Sequence, residues 1–62
     1  MTVKSDLEKA IAQAQAASGS YATFAASTED PVAKQMFKQM ERDMKRHVDQ
    51  LTNRLNYINI NN

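Results

Sequence analysis

The chain has no cysteine and only one histidine, one glycine and one proline. Without cysteine, a disulfide framework and a thiolate metal site are excluded, and the redox compartment stays open. With one histidine, a di-histidine metal site has no second member within a single chain. One glycine and one proline supply little turn chemistry. No apolar run approaches the ~18 residues of a membrane-spanning helix, and the first residues lack the apolar centre of a signal peptide. A soluble, cytoplasmic protein is therefore expected. The net charge of +1 disfavours an obligate nucleic-acid binder of the strongly basic kind. What is abundant is alanine, nine residues in 62, which raises helix propensity. The composition points to one all-α domain.

The organising stretch is Asp30 to Ile58. Pro31 lacks an N–H and has φ preset near the helical value, so it suits the first helical position. Asp30, pushed out of the α region by the proline, is the expected N-cap. Apolar residues then fall at Ala33, Met36, Phe37, Met40, Met44, Val48, Leu51, Leu55 and Ile58. Steps of three and four define one helical face, and no alternation of period two competes. Helix 2 is expected over about 31–58, with 59–62 as a polar tail that frays unless a neighbour holds it.

Thr2 is the expected first cap, with Ser5-Asp6-Leu7-Glu8 as a competing capping box. Helix 1 is expected over about 3–27. Val3, Leu7, Ala10, Ala14, Ala17, Tyr21 and Phe24 form a heptad seam whose middle is nearly all alanine, with Ile11 beside it. Small residues let helix axes approach, so the Met and Phe stripe of helix 2 can fill the space. Ser18-Gly19-Ser20 is the weak point, yet Ala17, Tyr21 and Phe24 stay in phase across the glycine, which predicts a continuous helix. The connection over 27–30 is short enough to make the helices antiparallel neighbours.

Two helices in contact leave most of their surface exposed, and a chain this short builds only a small core. Self-association is the usual remedy. The reading is therefore an antiparallel two-helix hairpin that pairs into a four-helix bundle, a homodimer or larger assembly. The residues expected in the core and in self-association are Leu7, Ala10, Ala14, Ala17, Tyr21, Phe24, Met36, Phe37, Met40, Met44, Val48, Leu51 and Leu55. The partner is the chain itself, with room for another, unidentified protein.

Several stretches together resemble a known family: Met1-Thr2-Val3, Phe24-Ala25, Thr28-Glu29-Asp30-Pro31-Val32-Ala33-Lys34, Phe37 and Leu51-x-x-Arg54-Leu55. They are similar to the small bacterial domain of unknown function numbered 1657, from endospore-forming Firmicutes. The resemblance covers nearly the whole chain. It implies a sporulation or spore setting, including a forespore location, and no established activity. It brings no catalytic residues.

No residue pattern points to catalysis, a cofactor or a metal. Asp43 lies four residues before His47, a spacing that allows a hydrogen-bonded pair. The Glu-x-x-His motif of carboxylate-bridged metal proteins is absent, because Glu41 is followed three later by Met44. Met36, Met40 and Met44 form a thioether ladder, read as gap-filling opposite alanine rather than as a copper site. Lys34, Lys38, Arg42, Lys45 and Arg46 recur along the outer side of helix 2. From Lys34 to Arg54 that helix carries +3, six basic residues against three acidic. This stripe is the alternative functional reading: a surface for anions, nucleic acid or anionic lipid. Interleaved Glu41, Asp43 and Asp49 disfavour it and describe a solvated face. The expectation is a non-enzymatic, self-associating structural or interaction protein.

Overall fold

The computed structural model describes residues 2–61; Met1 and the terminal Asn62 of the expected tail lie outside them. Two helices form an antiparallel hairpin: α1 over Val3–Ser27 and α2 over Pro31–Ile60. The protein is all-α, and the described residues contain no strand.

The caps explain the boundaries. Thr2 is extended, and its hydroxyl oxygen accepts the Ser5 N–H at 3.0 Å. The first of the two expected starts is therefore used. Between the helices, the Thr28 N–H bonds the Phe24 carbonyl at 3.0 Å, while the Thr28 hydroxyl accepts the Asp30 N–H at 3.3 Å. Asp30 then caps α2 with both carboxylate oxygens, accepting Val32 N–H at 3.3 Å and Ala33 N–H at 3.2 Å. One threonine thus closes the first helix and steadies the residue that opens the second. Capping of this kind contributes about 1 kcal/mol per helix end.

Helix α1 passes through Gly19 without a break, and the glycine keeps a negative φ. Ser20 and Thr23 return their hydroxyl protons to the carbonyls of Ala16 and Gly19, each at 3.1 Å. Helix α2 runs two residues beyond the expected end. Asn61 caps it, donating both its backbone N–H and its side-chain amide to the Tyr57 carbonyl, at 3.1 and 2.9 Å. That pair of bonds holds Asn59 and Ile60 in the helix, where the polar composition had suggested fraying.

The helices touch along their length, but little is fully covered between them. Among the described residues only Ala14, Ser18 and Ala25 are buried, all on α1, and all small. On α2 no residue is buried; Phe37, Met40, Met44, Val48, Leu51, Leu55 and Ile58 are half-covered. Small residues on one helix opposite large ones on the other bring the axes together, as the alanine seam implied. The most deeply covered line is nonetheless rotated from the expected seam toward Ser18 and Ala25. It follows Leu7, Ile11, Ala14, Ser18, Tyr21 and Ala25, while Ala10 and Ala17 flank it and Val3 and Phe24 are exposed.

The result is a rod measuring 48 × 17 × 11 Å with a radius of gyration of 14.4 Å. A globular chain of this length has a radius near about 11 Å. Its accessible surface, 4588 Å², likewise exceeds the roughly 4,000 Å² of a globular monomer of this mass.

Candidate interaction surface

Register at about 100° per residue sorts the side chains onto the two broad sides of the rod. Ala10, Ala17 and Phe24 of α1 share one side with Met36, Met40, His47 and Arg54 of α2. The other side carries Ile11 and Ala22 of α1 with Lys34, Glu41, Lys45 and Thr52 of α2. The first side is the more apolar, and its apolar groups are exposed: Phe24 at 48%, Met36 at 53% and Val32 at the loop end at 68%.

An aromatic group holds that end together. The Phe37 ring, half-buried, lies 6.5 Å from Tyr21 in a stacked arrangement and 5.5 Å from Phe24 in a tilted one. Both spacings fall in the favourable range for aromatic pairs. Tyr21 is half-covered in the seam, whereas Phe24 stands at its flank and is exposed. At the open end Val3, Tyr57 and Ile60 are exposed, and the Arg54 guanidinium lies 5.0 Å from the centre of the Tyr57 ring. A cation over a ring at that distance fixes a long side chain in a defined place.

The methionine ladder winds across this surface. Met36 is exposed, and Met40 and Met44 turn progressively into the seam against the small residues of α1. Met40 and Met44 are half-covered on the interhelical side, whereas Met36, expected in the core, is exposed because it lies a quarter-turn off that face. His47 is exposed, and Asp43 is engaged elsewhere. One Asp43 carboxylate oxygen accepts the Gln39 amide at 2.8 Å and meets the Arg46 guanidinium at 3.3 Å. The Asp43–His47 pair allowed by spacing is therefore replaced by Gln39 and Arg46. Among the described residues no three His, Cys, Asp or Glu side chains converge as a metal site requires.

The basic stripe is partly neutralised. Lys45 pairs with Glu41 at 2.9 Å and Arg46 with Asp43 at 3.3 Å. Lys34, Lys38 and Arg42 make no ion pair among the described residues. Exposed pairs of this kind contribute little to stability, about 0–1 kcal/mol each. A shallow groove beside the stripe is lined by Gln15, Ser18, Lys45, Val48 and Asp49. It brings together an amide, a hydroxyl and one charge of each sign. No described helix is long and apolar enough to cross a membrane.

Sequence reasoning missed Ser18 and Ala25. Leu7, Ile11, Ala14, Ser18, Tyr21 and Ala25 form a second heptad seam as regular as the one chosen, with steps of four and three. Serine interrupts its apolar character, and Ser18 adjoins Gly19, so the stretch reads as a weak point instead of a contact. Its small size is what the contact uses.

No curated protein and no solved structure matches the chain. A family model matches residues 7–55, from Leu7 near the start of α1 to Leu55 in the last third of α2. The matched segment takes in the interhelical seam, the loop with both its caps, the aromatic group and the methionine ladder. The chain therefore belongs to the family described as Protein of unknown function (DUF1657).

Proposed function

We propose that the chain is a non-enzymatic helical interaction module whose first partner is itself. The observation that supports this most is the state of α2. Its stripe of Phe37, Met40, Met44, Val48, Leu51, Leu55 and Ile58 faces α1 and is nowhere buried, while Phe24, Val32 and Met36 stand exposed beside it. A rod with more surface than a globular chain of its mass has a half-built core, and a second rod can complete it. Exposed apolar groups at one end of one broad side are also what an interaction site requires.

The sporulation setting belongs to the same proposal. Its support is the family resemblance, and its test is whether expression rises as a spore-forming host enters sporulation. Self-association is tested by thermal unfolding followed at several protein concentrations. Helicity lost at a temperature that falls on dilution supports it, because assembly ties stability to chain concentration. A melt independent of concentration contradicts it.

A further inference from the structure

We infer that the surface around Phe24 and Met36 is covered by a second copy of this chain, loop end beside loop end, about a two-fold axis running along the rod. This rests on the self-association proposed above and adds its geometry. Register is the starting point. Tyr21 and Phe24 both meet Phe37, so residues of α1 and α2 whose numbers add to about 60 lie at one height along the rod. A two-fold axis along the rod keeps every residue at its own height. It lays α1 of one copy over α2 of the other in that same register.

Asp6 and Phe24 are eighteen residues apart, and so are Met36 and Arg54. Eighteen residues are five turns at about 3.6 per turn, so each pair forms a column on one helix face. Seating Phe24 on Met36 of the other copy therefore also seats Asp6 on Arg54. Apolar meets apolar and carboxylate meets guanidinium, each twice by symmetry. Between these contacts Gln13 comes opposite His47, and the small Ser20 opposite Met40.

The competing axis, perpendicular to the rod, inverts every height. Phe24 then lands on Asp6 and Met36 on Arg54, leaving each charge against an apolar side chain. Charge complementarity thus selects the axis along the rod. Asp6 and Arg54 make no ion pair within their own hairpin among the described residues, and Arg54 is steadied by Tyr57. The area is also adequate. A side of 48 × 17 Å outlines about 800 Å², the area each partner contributes to a stable interface of standard size. Among the described residues the opposite broad side, with Lys34, Glu41, Lys45 and Thr52, has no comparable exposed apolar group.

The absence of cysteine makes the test direct. Asp6, Phe24 and Arg54 are exposed, so each is replaced singly by cysteine, and circular dichroism verifies that each variant keeps its helicity before cross-linking. Chains carrying Asp6→Cys are mixed with chains carrying Arg54→Cys, refolded together and treated with a short bismaleimide. The expected product is a covalent dimer with one chain of each kind, formed by neither variant alone. A covalent dimer from Asp6→Cys mixed with Phe24→Cys instead overturns the proposal in favour of the perpendicular axis. No covalent dimer from either mixture, with the untreated protein at the mass of two chains, overturns the geometry and leaves self-association standing. An untreated mass of one chain overturns both.

Discussion

Replacing Ala14 by glutamate places a long charged side chain where the helices are closest. Ala14 is one of three buried residues among those described, and Ser18 and Ala25 extend the same small-residue line. Met44 and Val48 of α2 lie near its height, so a carboxyethyl group has no space without separating the axes. Overpacking strain costs about 1–3 kcal/mol, and desolvating the charge adds to it. A total near 3 kcal/mol raises the unfolded-to-folded ratio on the order of a hundredfold. The whole stability of a domain is only about 5–15 kcal/mol, and a small chain sits at the low end. In an assembly of identical chains the cost recurs in every copy. Ala14→Glu is therefore expected to lose most of its helicity by far-ultraviolet circular dichroism. The matched control is Lys38→Gln with Arg42→Gln, two exposed cations outside any ion pair among the described residues. It should keep helicity, with stability within about 0.5 kcal/mol per site. A silent Ala14→Glu beside a control that destroys the fold would mean that the faces are reversed.

Gly19→Ala should stabilise the protein by about 1 kcal/mol, seen as a higher melting temperature, because the added Cβ meets nothing and the backbone is already helical. A loss of stability would show that α1 is not continuous in solution. Asp30→Ala removes the two capping bonds to Val32 and Ala33 and should cost about 0.5–2 kcal/mol in denaturant unfolding. His47→Gln should leave helicity and mass unchanged, and zinc or copper ions should not raise the melting temperature of the parent. A metal-dependent rise that vanishes in His47→Gln would assign the histidine a ligand role.

The hairpin was legible because its punctuation is local. Asp30-Pro31 can only begin a helix well, and the apolar steps after it admit one face. Thr2 and the short connection were readable for the same reason. The seam was harder, since two heptad registers coexist on α1 and differ by one residue. Which one faces α2 is decided by packing between residues distant in sequence, which is invisible in either helix alone. Phe24 shows the consequence: it keeps the expected spacing and meets Phe37, yet it stays exposed at the flank of the seam. The end of α2 was misjudged because asparagine reads as a loop residue, whereas Asn61 is a cap whose amide bonds backward to Tyr57. The basic stripe was seen as a row of charges, but its pairing with Glu41 and Asp43 required side-chain positions. Fold follows from these residues, while biological role follows from whatever meets the exposed side, which no local pattern records.

The central claim is that this rod completes its core with another copy. Light scattering coupled to size exclusion at micromolar concentration tests it most directly. A mass of two chains or more, with full helicity, is the predicted result; a fully helical species at the mass of one chain would contradict it.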